Sequence, residues 1–302
     1  MRARGSHSAP MHAARAEAKP MVVEQGRGFE VTRHEPGVAV VTFNQPERLN
    51  GMTLGMKRDL IELVTELQFD DDVRVVVFIG TGRAFCAGDG GTDYMDEKHG
   101  PELVPFPRLG RRAPVRSYGT LRTFSQGLNR SVRELDKLTI AALNGFAIQS
   151  GLSLALACDF RIASTDARLG SATLRMGFLP DEGGHWLLVQ YLGVGRTIDF
   201  VMRQRIVSAE EALELGLVNE VVAPEELMTR TLGLAEELAN GPQVAMRMLK
   251  HAVYHAAEQS FDLAGHEIAA KTAVSDYHED AEEGRAAFWA KRPADFNRWL
   301  ED

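Results

Sequence analysis

Ala84-Phe85-Cys86-Ala87-Gly88-Asp89 follows the apolar run Val75-Val76-Val77-Phe78-Ile79. The arrangement returns where Gln149-Ser150-Gly151-Leu152-Ser153 follows Thr139-Ile140-Ala141-Ala142-Leu143. Both runs are short, uncharged and bounded by turn residues, the pattern of buried strands. Glycine at each turn lets a carbonyl oxygen approach the backbone with no Cβ in the way. Two N–H groups converging from separate strand ends would stabilise charge developing on a thioester or ester oxygen. The pair of turns therefore predicts a site that polarises a carbonyl.

Strand and helix signals alternate outward from these turns. Val38-Ala39-Val40-Val41-Thr42-Phe43 reads as a strand and Asn44–Asn50 as turn chemistry. Thr53 can cap a helix whose Met56, Leu60, Leu63, Val64 and Leu67 share one face. A helix over about 121–135 precedes the second apolar run, and Phe160–Ala163 reads as a further strand. Ser208-Ala209-Glu210-Glu211 is a capping box for a helix that Gly216 stops. From about Pro224 the pattern is helical, including Gln243–Ala257 and Phe261–Ala273. The rhythm breaks at 94–120, where four prolines and four arginines suggest a long irregular loop, either a lid or a solvated insertion. Residues 1–28 lack an apolar secretory core and read as a disordered or tag-derived extension, with Met11 or Met21 as alternative starts.

At 302 residues the chain can bury a large core. Its net charge of −8 argues against nucleic acid as the main partner, although Arg108–Arg116 is locally basic. No apolar run approaches the ~18 residues of a membrane span. Cys86 and Cys158 lie in apolar stretches and read as buried thiols of a reducing cytoplasm. The glycines do not form G-x-G-x-x-G or a P-loop, so a nucleotide cofactor is poorly supported.

Four spaced stretches resemble the enoyl-CoA hydratase/isomerase (crotonase) superfamily: Asn44–Asn50, Arg83–Gly88, Asn144–Asp159 and Arg205–Val218. The resemblance implies an α/β fold, a spiral of ββα units over 29–223, followed by a C-terminal helical trimerisation region over 224–302. It implies an acyl-CoA thioester ligand, a homotrimer or dimer of trimers, and no cofactor or metal beyond the CoA of the substrate. The oxyanion N–H donors carry over to Asp89 and Ser150. CoA contacts carry over to Arg48, Leu49, Ala87, Gly88 and Gly151, with Phe288 and Lys291 reaching CoA from the C-terminal segment, in relatives often from a neighbouring subunit.

The hydratases of this family use two glutamates, which align with Ser153 and Thr173 here. Neither hydroxyl can act as a base unaided. Attention moves to Leu179-Pro180-Asp181-Glu182-Gly183-Gly184-His185, where some relatives keep a working aspartate matching Asp181. Asp181 is therefore a candidate acid/base, or a cap for the helix that follows, and the two roles are compatible. Glu182 is a second candidate, and His185 could pair with either acid. One acid suits double-bond isomerisation; hydration through Asp181 or Glu182 is the alternative, followed by hydrolysis. A non-catalytic acyl-CoA binder and an RNA binder are the readings outside enzymology.

Overall fold

The computed structural model describes residues 21–90 and 114–300. The large sheet runs in the order β1 (Met21–Gly26), β2 (Phe29–His34), β3 (Val38–Phe43), β4 (Val75–Gly80), β6 (Leu138–Leu143), β8 (Phe160–Ser164), β11 (Glu220–Val222). Its first three strands are antiparallel and the rest, from β3 onward, parallel. The small sheet runs β10 (Ile206–Ser208), β9 (Arg168–Gly170), β7 (Phe146–Ile148), β5 (Ala84–Cys86). Successive strand pairs β4/β5, β6/β7 and β8/β9 each place one strand in either sheet, which is the expected spiral of ββα units.

The apolar runs are continuous because both faces of the large sheet are covered. Val41, Phe78, Ala141 and Ala163 face the main core, packed with α1 (Leu54–Phe69), α4 (Ser150–Ala157) and α5 (Gly184–Met202). Their neighbours Val40, Val77, Ile140 and Ile162 face a second core closed by Leu227, Ala235 and Ala239 of α7 (Leu227–Ala239). Alternation along each strand assigns the two sets. Thr53 caps α1 by accepting from Met56 N–H, and Ser208 accepts from Glu211 N–H at the start of α6 (Ala209–Glu214), as the sequence predicts. Gly216, at φ +76°, follows that helix.

Two expectations change. The extension read as 1–28 overlaps the fold, since Met21–Gly26 pairs with Phe29–His34 through a tight turn in which Gly28 takes φ +78°. Hydrogen bonding to β2 orders a stretch that has no face pattern of its own. The loop read as 94–120 is helical over α2 (Pro114–Thr120), where proline is compatible with a first turn; the rest of it, with Arg108, Arg111 and Arg112, lies outside the described residues. A π-turn over Leu121–Ser125 then joins α2 to α3 (Gln126–Glu134). The short strands β5, β7, β9 and β10 carry too few residues for a period to be read.

The C-terminal helices are α8 (Gln243–Ala256), α9 (Phe261–Asp276) and α10 (Glu279–Ala290). Buried Lys250 on α8 donates to Lys137 O (3.0 Å) and pairs with Asp159 Oδ2 (2.9 Å). Tyr254 Oη donates to Asp159 Oδ1 (2.7 Å), so α8 is anchored to the ends of β6 and β8. Helix α9 has no buried residue. Among the described residues no helix is long and apolar enough to cross a membrane.

Candidate functional site

The first glycine turn leaves β5 and is held by the turn at 46–52. Gly88 takes φ +110°, a backbone region open to glycine and rarely to others. Ala87 N–H donates to Leu49 O (3.0 Å), Met52 N–H to Gly88 O (3.0 Å) and Gly90 N–H to Met52 O (2.8 Å). Arg48 Nη2 donates to Gly90 O (3.2 Å). Buried Asn50 secures the other side, with Nδ2 donating to Thr81 O (2.9 Å) and Ala84 O (2.7 Å). Arg48, Leu49, Ala87 and Gly88 are thus brought together as the sequence predicts.

The second turn leaves β7 and opens α4. A Cβ on Gly151 would lie 2.0 Å from Cys86 O, so the space left by its hydrogen is filled by the strand of the first turn. The sequence assigns that space to a ligand's carbonyl; the chain's own carbonyl takes it, and the turns are locked together. Gln149 carries the bend, with φ +52° and ψ −106°, a strained backbone for a non-glycine residue. Its side chain holds it there: Oε1 accepts from Ser171 Oγ (3.0 Å) and Nε2 donates to Glu182 Oε2 (2.8 Å).

Ser150 follows as the first residue of α4, so its N–H has no partner within the helix. Among the described residues the Asp89 N–H also makes no backbone hydrogen bond. The Ser150 side chain is central. Its Oγ lies 2.5 Å from Asp89 Oδ1 and 2.8 Å from Glu182 Oε1. Asp89 Oδ1 in turn pairs with Lys57 Nζ at 2.7 Å, and Lys57 Nζ donates to Ser125 Oγ (3.0 Å) in the π-turn. Lys57, Asp89, Gln149, Ser150 and Glu182 therefore form one network, and all but Asp89 are buried.

Sequence reasoning missed Lys57 and Gln149. The signal for Lys57 was present, because it lies on the stripe of Leu60, Ile61 and Val64 at helical spacing, where an apolar residue is expected. A lysine there is buried, at 1% exposure, and must find a negative partner. Nothing local marks Gln149; its strained backbone appears only in the fold.

The acidic turn sits between these elements and α5. Its backbone is fixed by α3, with Gln126 Nε2 donating to Asp181 O (3.0 Å) and Asn129 Nδ2 to Glu182 O (2.9 Å). The cap of α5 is Gly183, at φ +89°, with no side-chain cap bond, so Asp181 does not cap the helix. Its carboxyl is half-buried, and burial with the nearby charge of Asp89 raises its proton affinity, opposed by Lys57. Burial also raises that of Glu182, opposed by Lys57 and assisted by Asp181 and Asp89. Both oxygens of Glu182 are occupied by Ser150 and Gln149, whereas no side-chain hydrogen bond engages the Asp181 carboxyl among the described residues.

Other candidates fall elsewhere. His185 is exposed and its Nδ1 lies against Pro180 O (3.3 Å), not against an acid. Ser153 Oγ sits where a Cβ on Gly184 would come within 2.3 Å, so Gly184 leaves room for it. Thr173 Oγ1 is buried without a hydrogen-bond partner. Phe288 and Lys291 lie at the end of α10, with Phe288 exposed and Lys291 at φ +52°. Cys86 and Cys158 are free and buried, and burial pushes both thiols up to about 12. Among the described residues no group of three or more His, Cys, Asp or Glu could hold a metal ion.

The sequence profile of the enoyl-CoA hydratase/isomerase family matches residues 33–298. The chain is 33% identical to the 1,2-epoxyphenylacetyl-CoA isomerase of Escherichia coli, over 89% of its own length and 98% of that protein. It is 32% identical to the short-chain-enoyl-CoA hydratase of Clostridium acetobutylicum, over 78% and 84% of the two chains. Among solved structures, an enoyl-CoA hydratase from Bacillus anthracis superimposes with a TM-score of 0.80 at 27% identity, covering 89% of this chain and 99% of that one.

Proposed function

The chain belongs to the enoyl-CoA hydratase/isomerase family, and from that premise we propose that it moves a carbon–carbon double bond in an acyl-CoA thioester, with Asp181 carrying the proton. The thioester oxygen accepts from the Asp89 and Ser150 N–H groups, which hold the negative charge of the enolate. Ionised Asp181 removes a proton from C2 of a 3-enoyl-CoA, the electron pair delocalises into the thioester, and the same carboxyl returns the proton at C4. One acid is enough, and no water is consumed.

The observation that carries this reading is the state of Asp181. It is a half-buried carboxyl of raised proton affinity, free of cap duty, beside the two turns. The positions of the family's hydratase glutamates hold Ser153 and Thr173. Relatives of similar likeness carry both isomerase and hydratase names. Hydration is the second reading, favoured by the unpartnered Thr173 Oγ1, which could hold a water. Assay of wild type and Asp181→Asn with 3-enoyl-CoA and crotonyl-CoA separates the two. Isomerisation predicts turnover of the first substrate and a ~10²–10⁴-fold loss in the variant. Rapid hydration of crotonyl-CoA by both proteins would overturn it.

Arg48, Leu49, Ala87 and Gly88 then line the path of the CoA chain, with Phe288 and Lys291 supplied by an adjacent copy. A trimer, or a pair of trimers, supports that arrangement: Leu249, Val253, Phe261, Leu263 and Ile268 on α8 and α9 are exposed in the single chain. An apolar surface of that extent calls for a partner. A monomer in sedimentation at micromolar concentration would contradict it.

A further inference from the structure

The contact between Ser150 and the two carboxyls cannot be closed by the hydroxyl's own proton. Ser150 Oγ lies 2.5 Å from Asp89 Oδ1 and 2.8 Å from Glu182 Oε1, both hydrogen-bond distances. A serine hydroxyl donates one hydrogen, and an ionised carboxylate only accepts. If both acids were ionised, one of these contacts would oppose a lone pair to a negative oxygen in a buried site, at a large electrostatic cost. One of the carboxyls must therefore hold a proton and donate it to Ser150 Oγ.

The neighbours decide which one. Asp89 Oδ1 already accepts from the Lys57 ammonium at 2.7 Å, a group that offers only hydrogens, so this oxygen is an acceptor. Glu182 is 3% exposed and, among the described residues, forms no ion pair; its Oε2 accepts from Gln149 Nε2 at 2.8 Å, and its Oε1 faces Ser150. Among the described residues the charged groups around it are Lys57 from α1, Asp89 from the first turn and Asp181 beside it, two acids and a lysine that pairs with Asp89.

We propose that Glu182 is a neutral carboxylic acid at physiological pH, donating from Oε1 to Ser150 Oγ, which donates to Asp89 Oδ1, so that Glu182 is a positioning residue for the second turn. The chain of donation then runs Glu182, Ser150, Asp89, with Lys57 balancing the one remaining negative charge. Glu182 grips the turn twice, at Ser150 through its proton and at Gln149 through its carbonyl oxygen, and so fixes the strained bend that presents the Ser150 N–H. Because the frame is locally neutral, Asp181 ionises against it without a second uncompensated charge beside it. The protonation stands on the geometry; its bearing on turnover rests on the function proposed above.

Difference infrared spectroscopy of the full chain tests the proton's place without any substrate. At pH 7 wild type should show the carbonyl stretch of a protonated carboxyl, sensitive to deuterium exchange. Glu182→Gln should abolish the band, Asp181→Asn should retain it, and Ser150→Ala should shift it by removing the proton's acceptor. Absence of the band in wild type, or its loss in Asp181→Asn with survival in Glu182→Gln, overturns the proposal. Should Glu182→Gln not fold, wild type labelled with ¹³C at glutamate Cδ gives the same answer. One glutamate keeping its protonated shift at pH 7 supports the proposal, and none doing so overturns it. The kinetic test of Asp181 is separate, so the assigned reaction can fail while the proton on Glu182 stands, and the reverse.

Discussion

Lys57 Nζ lies 2.7 Å from Asp89 Oδ1, joining a buried helix position to the residue after the first glycine turn. The pair sets the electrostatic level at which Asp181 works. Asp89 raises the proton affinity of Asp181 and Lys57 lowers it. If ionised Asp181 is the base, activity falls as pH drops through its pKa, and that limb lies above the ordinary aspartate range. Lys57→Met should move the limb to higher pH and Asp89→Asn to lower pH. The pH profile of kcat/KM reads both, and shifts of the same sign would show that Asp181 does not define the limb.

Two glutamates should contribute to stability with opposite pH dependence. Folding raises the proton affinity of Glu182, so its contribution is full below the ordinary glutamate pKa and is lost as pH rises through the folded value. Glu283 is the reverse: Arg292 Nη1 and Nη2 donate to its two oxygens at 2.6 and 2.8 Å and hold it down to about 2. Its contribution is present above pH 4.5 and lost as pH falls toward 2. Urea unfolding against pH should show a shallower decline toward neutral pH in Glu182→Gln, and a shallower acid loss in Arg292→Ala. Unchanged slopes would exclude both groups as the source.

The strained bend at Gln149 gives a comparison of two small residues. Alanine loses the bonds to Glu182 and Ser171 and keeps the unfavourable φ; glycine loses the same bonds and relieves the backbone. Gln149→Ala should be less stable than wild type by ~1–3 kcal/mol, with Gln149→Gly recovering part of the loss. Unfolding midpoints check the order, and a glycine variant less stable than the alanine would remove the case for strain.

Two glycines should respond in opposite ways to alanine. At Gly151 the new methyl would meet Cys86 O at 2.0 Å, a backbone atom that can move only with β5. Nothing lies within 4 Å at Gly195, inside α5. Gly151→Ala should lose ~3 kcal/mol or more, or fail to fold, whereas Gly195→Ala should gain ~0.5–1 kcal/mol. Thermal unfolding distinguishes them.

The fold was legible because its determinants are local. Apolar runs at 75–79 and 139–143, the glycine at 88, and caps at Thr53 and Ser208 each act on the backbone within a few residues. The turns that carry Arg48, Leu49, Ala87 and Gly88 were also recognisable in the sequence, and backbone hydrogen bonds join them at one locus. The hairpin at 21–34 and the helix at 114–120 were less legible, since pairing and packing supply the order that their own patterns lack.

Only the tertiary structure could bring Lys57, Asp89, Ser150 and Glu182 into one network. Their separations along the chain exceed any period of helix or strand, and each looks ordinary in its own segment: a helix lysine, a turn aspartate, a serine opening a helix, an acid before a glycine. Burial makes the difference. Removed from water, each charge or hydroxyl needs a partner, and that need fixes which carboxyl is held in the frame, while Asp181 has no side-chain hydrogen bond among the described residues.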